Sequence, residues 1–554
     1  MQFKLISSLE KCFLDESIDS KKEYLNACCL KNEIFHFGIA YSNADEQRTE
    51  YVYLSVESPI KEYIEVKKVE RVPVQFAAKN DCKDDGYLRT EPGLYPDFLQ
   101  DLPANGRLAV SVYLKSLFVE VNLKGEVEAG IYPITFCFTE NTKEAKKHRV
   151  TFSLEVIDAM LPEQDIIVTQ WLHCDCLMNY YGTECFSEEH WRIIENFLKT
   201  AVKYGMNMVL TPVFTPPLDT PLKGERPTVQ LVDVTYKNGV YTFGFKKLAR
   251  WLNLCDKVGI KYIEISHLFT QWGVRCAPKI MAECEDGFRR IFGWENASDS
   301  KEYTDFLNAF LPALMNFLKS YGDADKRAYF HVSDEPKLTD LDYYRTAMQT
   351  VRKWVGDRPI IDALSNFEFY LEGVCPNPIP ATDAIEPFIE NKVKDLWCYY
   401  CEAQGTAVSN RFIALPSYRN RVIGIQMYKY NIKGFLHYGY NYYYNRYSYE
   451  PINPYLVTDG DMYVPAGDTF AVYPSRDGEA LMSLRHAVFY DGLQDIRALK
   501  LCEKLCGRET VTELIDEQCK VTFKEYPKSA DYILNLRQKI NKLIKTTISE
   551  GSNV

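Results

Sequence analysis

From Asp165 onward the sequence alternates short apolar runs with helix-length amphipathic ones, and this pattern restricts the fold more than any other feature of the chain. Parallel strands cannot be joined by a tight turn, so a repeat of strand then helix is the pattern of βα units around a parallel sheet. Eight candidate strands can be counted, at 166–173, 207–213, 261–269, 328–334, 359–364, 378–382, 396–401 and 434–441. Helical segments are expected at 188–204, 246–258, 304–321, 341–355 and 483–505. Eight strands close a (β/α)8 barrel of the TIM type; an open, doubly wound sheet is the alternative. The fifth to seventh units are the least regular, because Pro376, Pro378, Pro380 and Pro387 crowd them.

Upstream the texture differs. Between 33 and 156, short alternating stretches at 48–56, 63–74, 107–114 and 148–156 are broken by turn-like segments such as Lys79-Asn80-Asp81 and Pro103-Ala104-Asn105-Gly106. That spacing predicts an antiparallel β-sandwich. The chain therefore divides into a sandwich domain (1–160), a linker near Leu161-Pro162, a barrel domain (165–508) and a lysine-rich helical appendage (509–554).

The net charge of −11 argues against nucleic acid as a partner, since such affinity comes from basic side chains neutralising phosphates. No apolar run has the length of a signal peptide or a membrane span, which predicts a cytoplasmic protein without membrane insertion. The 17 cysteines show no repeated spacing and read as buried thiols rather than a disulfide framework. Aromatic residues reach 14%, a richness that suits either a packed core or surfaces that stack on sugar rings.

The chemistry concentrates at the end of the fourth strand, in Tyr329-Phe330-His331-Val332-Ser333-Asp334-Glu335-Pro336. Alternation puts Phe330 and Val332 on one face and Tyr329, His331, Ser333 and Glu335 on the other. In a barrel the polar series must point inward, so Glu335 emerges at the carboxyl-terminal mouth, where active sites of this fold sit, and Asp334 turns in where the strand ends. An ordinary retaining glycosidase needs two carboxyl groups roughly 5 Å apart across the anomeric carbon, usually from different strands. Adjacent residues suit the alternative in which the 2-acetamido oxygen of the sugar is the nucleophile. Glu335 would then be the acid and base, with a raised pKa, while an ionised Asp334 accepts the acetamido N–H.

His331-Val332-Ser333-Asp334-Glu335-Pro336, with Trp171-Leu172-His173-Cys174-Asp175 on the first strand, resembles glycoside hydrolase family 123, the β-N-acetylgalactosaminidases. Gly467-Asp468-Thr469-Phe470-Ala471-Val472-Tyr473-Pro474, Ser483-Leu484-Arg485 and Asp491-Gly492-Leu493-Gln494-Asp495 are similar to the carboxyl-terminal part of that family. The resemblance spans roughly residues 30 to 505 and implies exo-cleavage of terminal β-linked N-acetylgalactosamine through an oxazoline-type intermediate, with Asp334 and Glu335 as the catalytic pair and no cofactor. The expected partner is a small oligosaccharide or glycolipid headgroup ending in N-acetylhexosamine. Two rivals stay open: a hexosaminidase for the gluco epimer, and a non-catalytic carbohydrate-binding barrel.

Other positions fall where a sugar could meet them. Trp171, His173 and Asp175 share a face of the first strand, His267 ends the third, and His331 lies below the carboxylate pair. Trp397, Tyr399 and Tyr400 are candidates for a sugar platform near the seventh strand; His437 and Asn441 sit on the eighth, and Tyr440 to Tyr449 is expected to loop over the mouth. No metal site is expected. Cys398 and Cys401 fall on opposite faces of a strand, and His173-Cys174-Asp175-Cys176 has no matching ligand pair.

Overall fold

The computed structural model describes residues 1–43 and 49–551, so Arg48, the first residue of one expected strand, lies outside the described residues. Eight parallel strands stand in a ring: Ile167–Gln170, Met208–Thr211, Tyr262–Ile265, Ala328–Phe330, Ile361–Ala363, Asn377–Ile379, Trp397–Tyr399 and Gly434–His437. Each pairs with the next, and the eighth returns to the first through Ile167 opposite Gly434. Single parallel bridges, Phe330 to Ile360 and Ala381 to Tyr399, span the two gaps in regular pairing. The sheet is a closed TIM-type barrel, and the open-sheet alternative falls.

Local chemistry explains where the surrounding helices begin. Ser187, Ser300 and Ser483 each sit in extended backbone and accept a hydrogen bond from the N–H three residues on, capping Glu188–Lys203, Lys301–Ser320 and Leu484–Cys506. Lys246–Val258 ends on Gly259, whose φ of 94° suits glycine. The proline-crowded fifth and sixth units carry only one-turn helices, Glu368–Leu371 and Glu386–Glu390. A small sheet of Asp233–Lys237, Val240–Gly244, Ile280–Cys284 and Gly287–Phe292, unforeseen in the sequence, grows from the loops after the second and third strands.

Two five-stranded sheets form the amino-terminal part and share a core that includes Phe37, Val119, Phe136 and Phe152. It is a sandwich that begins earlier than the alternation suggested, with Gln2–Ser7 as its first strand, and one of its pairs, Asn26–Leu30 with Ser153–Ile157, is parallel.

The sandwich is clamped to the barrel. Asp97, fully buried in the sheet strand Gly93–Asp101, takes two hydrogen bonds from the Arg485 guanidinium and one from the Tyr473 hydroxyl. The carboxyl-terminal helix Ala530–Gly551 spans the same junction, its Arg537 bonding Asp495 of the barrel and Glu33 of the sandwich. Helices Ser417–Lys429 and Leu484–Cys506 cross at glycines: a Cβ on Gly424 would lie 2.1 Å from the Gly492 carbonyl oxygen. Among the described residues no helix is long and apolar enough to cross a membrane, and all seventeen cysteines are free.

Candidate functional site

Regular strand structure ends at Phe330, but alternation persists: His331 points into the barrel and Val332 into the helix-facing core. At Glu335 the backbone turns to a φ of +44°, a left-handed conformation unusual for this residue type. That turn breaks the alternation, and Asp334 and Glu335 line one pocket together. A neighbouring strand and a loop fix the turn, for the Glu335 N–H donates to the Ala363 carbonyl at 3.1 Å and the Trp272 N–H to that of Asp334 at 2.9 Å.

The pocket encloses about 590 Å³ including its mouth, with Trp171, Ala363, Tyr399, Leu436 and Tyr438 among its walls, and Asp219, Trp272, Cys401, Glu402, Tyr463 and Val464 contributed by loops. The Tyr399 hydroxyl donates to Glu335 Oε1 at 2.7 Å, and the Trp272 side chain also hydrogen-bonds that carboxylate. Burial nonetheless raises the Glu335 pKa. Asp334 is pushed well above the ordinary range by burial, then by the charges of Glu335 and Asp219, against the pull of His331. The expectation of an ionised Asp334 beside a protonated Glu335 therefore meets a different ground state. Four carboxyl groups line the pocket, those of Asp219, Asp334, Glu335 and Glu402, and Asp219 too is pushed up to about 7 by burial and by Glu335, with Arg226 opposing. Asp219, Asp334 and Glu335 cannot all be ionised at neutral pH.

Beneath the pair lies a buried polar layer. Glu264 accepts from Thr169 at 2.5 Å, Trp171 Nε1 at 2.7 Å and His331 Nε2 at 2.6 Å, while His331 Nδ1 bonds Asp362 at 3.0 Å. Asp362 also accepts from the Tyr344 hydroxyl and the Val332 N–H. Burial disfavours the imidazolium, but hydrogen bonds to the two carboxylates outweigh it and hold the His331 pKa at about 9. The layer thus holds an imidazolium under the carboxylate pair, flanked by the carboxyl groups of Glu264 and Asp362. His267 stacks on His331 at 4.1 Å, and neither of its nitrogens has a protein partner. His267, His331 and Asp362 approach closely enough to suggest a cation site, yet near-parallel rings aim their in-plane lone pairs side by side, and both His331 nitrogens are engaged.

Of the residues singled out in the sequence, Trp171, Tyr399, Asp334 and Glu335 line the pocket. His331 and His267 lie below it. The chain leaves the first strand at Gln170 and enters helix Cys174–Tyr181, so His173 and Asp175 do not continue the inward face. Instead Asp175 forms a buried ion pair with Arg226, and His173 accepts from Arg226 through Nδ1 while donating through Nε2 to the Tyr438 carbonyl. Burial, then the Arg226 charge, lowers the His173 pKa to about 3, so it is neutral. The Asn441 side-chain amide clips the His173 backbone, its oxygen accepting from the N–H and its nitrogen donating to the carbonyl. His437 contacts Arg411 and Asp468, Trp397 fills the barrel interior, and Tyr400 packs outward against the helices and bonds Asn420. Cys398 is likewise in the outer core while Cys401 faces the pocket.

Asp219, Trp272, Glu402 and Tyr463 escaped the sequence reading because they sit in long loops without periodicity. The one available signal was the Gly467-Asp468 motif: Asp468 accepts from the hydroxyl of the pocket residue Tyr438 at 2.7 Å.

Comparison with known proteins gives this site a family. The whole chain superposes on 99% of a family 123 glycoside hydrolase from Clostridium perfringens, described in terms of glycolipid glycan hydrolysis, with a TM-score of 0.75 at 15% identity. A xyloglucanase of family 5 from Bacteroides ovatus (TM-score 0.31, 10% identity, 85% of this chain and 98% of that one) and a family 5 mannosidase from Rhizomucor miehei (0.30, 10%, 65% and 95%) are too distant to carry an argument. No curated protein sequence matches the chain. Residues 171–502, more than half of the chain and including the carboxylate pair and its pocket, match the catalytic domain of glycoside hydrolase 123, and the protein belongs to that family of glycoside hydrolases.

Proposed function

We propose that the protein is a retaining exo-β-N-acetylgalactosaminidase that removes terminal β-linked N-acetylgalactosamine by substrate-assisted catalysis. The observation that carries the proposal is the adjacency of Asp334 and Glu335 in one pocket, floored by the buried His331 layer. In this reading Glu335, its pKa raised, protonates the leaving oxygen and later deprotonates water. Asp334 accepts the acetamido N–H as its oxygen attacks the anomeric carbon. That N–H, and the positive charge building on it, favours the anionic carboxylate that burial alone disfavours, and the imidazolium of His331 acts the same way. The blind inner end of the pocket suits exo-cleavage. Glycolipid glycans are the proposed natural substrates, in line with the description of the Clostridium perfringens enzyme.

Paired aryl β-glycosides of N-acetylgalactosamine and N-acetylglucosamine test the sugar; a clear preference for the gluco epimer overturns the galacto assignment. Glu335→Gln should lower kcat on natural glycans by about 10²- to 10⁴-fold. Unchanged turnover would remove Glu335 from the mechanism.

One observation favours a second reading. Asp219 lines the same pocket and could act as a conventional nucleophile, although a pKa near 7 leaves it poorly ionised for that role. Mechanistic inhibitors separate the two: substrate assistance predicts strong inhibition by a thiazoline analogue of the oxazoline, whereas covalent trapping of Asp219 by a 2-fluoro glycoside would support the conventional route.

A further inference from the structure

The pocket wall continues outward as a line of aromatic rings that begins in the pocket and leaves it. Trp272 and Tyr463 line the pocket, and the Tyr447 ring touches both, with centroids 5.8 and 5.9 Å away. Beyond it Tyr449 stands 6.1 Å from Tyr447 and is 65% exposed. The Arg446 guanidinium lies over Tyr447 at 4.6 Å and Tyr463 at 5.6 Å. One of its donors is taken by the Tyr447 hydroxyl at 3.1 Å; among the described residues no carboxylate pairs with the guanidinium, so its other donors can meet a ligand.

The backbone beneath is locally strained. Trp272, Tyr447, Ser448, Asp461 and Met462, on three separate segments of the rim, all have left-handed φ between 55° and 62°. Bulky side chains avoid that region, and such outliers cluster where a ligand is held. The Ser448 hydroxyl, donating to the Asp219 carbonyl at 2.7 Å, ties this rim to the pocket loop.

From this we infer that Trp272, Tyr447, Tyr449 and Tyr463, with Arg446, form a binding subsite for the reducing-side sugar ring of the substrate, next to the scissile bond. The inference rests on the hydrolase reading above and extends it from the terminal sugar to the aglycone. A pyranose ring offers an apolar C–H face to an aromatic ring and hydroxyls at its edge to a guanidinium, the combination the rim presents. Position agrees as well. The inner end of the pocket is closed by the buried layer, so the leaving group must pass the mouth where these rings stand. A second sugar bound there would contribute to KM more than to kcat, because it sits outside the reacting centre.

The test uses the full chain and Tyr447→Asn, since asparagine tolerates left-handed backbone and keeps the loop foldable. Tyr449→Ala, at an exposed position, is the second variant. Two readouts are compared: the inhibition constant of N-acetylgalactosamine thiazoline, which fills only the inner pocket, and kinetics on a trisaccharide ending in β-linked N-acetylgalactosamine. Each variant should raise the trisaccharide KM by about fivefold to tenfold, with kcat nearly unchanged and thiazoline inhibition within about twofold of the parent. Parent-like trisaccharide kinetics in both variants overturns the subsite, and so does an equal loss of thiazoline affinity, which would make Tyr447 part of the inner wall. A parent protein that thiazoline does not inhibit overturns the hydrolase reading itself and the subsite with it.

Discussion

Asp219 holds no regular secondary structure, and its backbone is left-handed at φ +47°, with its N–H fixed to Gln271 at 2.5 Å and its carbonyl to Ser448. Its negative charge disfavours ionisation of the nearby carboxyl groups. Asp219→Asn should therefore shift both limbs of the pH profile of kcat/KM towards lower pH; a profile that stays in place would separate Asp219 from the pair. Stability should move the other way. A carboxyl whose pKa is higher in the folded state than in the unfolded one favours folding below its unfolded pKa of about 4, and that contribution is lost as pH rises through about 7. Above pH 7 the variant should thus melt at a higher temperature than the parent, as sites that crowd like charges cost stability. Nothing in the local sequence Pro217-Leu218-Asp219-Thr220 marks this role, because loop backbone obeys no period. Asp334 and Glu335 were legible for the opposite reason: alternation up to His331 gave their direction. The same logic misplaced His173 and Asp175, since the first strand ends at Gln170 and nothing in Trp171-Leu172-His173 breaks the alternating pattern before the helix starts.

At the level of elements, all eight barrel strands and the helices at 246–258 and 341–355 were readable, because a buried strand between amphipathic helices has a strong periodic signature. The small four-stranded sheet was not. Its strands are short and lie in the loops on either side of a helix of the regular repeat, and Val240–Gly244 has no buried residue. Nor could spacing explain Asp491-Gly492-Leu493, a motif whose glycine opposes Gly424 where two helices cross. Gly424→Ala should destabilise the fold by about 1–3 kcal/mol or more, since its Cβ meets rigid backbone rather than a movable side chain. Gly492→Ala should cost less, because its nearest neighbour, the Arg421 carbonyl, is 3.0 Å away. Denaturant melts of the two variants check the order, and equal midpoints would contradict the crossing as the cause.

Over the whole molecule, the sandwich is part of the catalytic half's construction. Lys79, from a sandwich loop, pairs with the pocket residue Glu402, and the Lys11 ammonium bonds the Ile413 and Leu415 carbonyls behind the pocket. Asp97→Ala would strip the buried Arg485 of its carboxylate partner and should cost about 3–5 kcal/mol. Activity should fall with the loss of docking, measured as turnover against melting temperature; full activity in a destabilised variant would show the halves to be independent. The sequence hinted at this junction only through the Gly467 to Arg485 motifs, whose partner, Asp97, lies almost four hundred residues away. Adjacency of the two carboxylates has its own consequence at this scale. In enzymes whose two acids stand on opposite strands, the gap between them widens and narrows as the ring of strands breathes. Here the spacing is held by one peptide unit, with neighbouring Cα atoms about 3.8 Å apart. In the proposed mechanism, thermal distortion of the far staves of the barrel would therefore loosen the grip on the sugar before it changed the spacing of Asp334 and Glu335 along the chain.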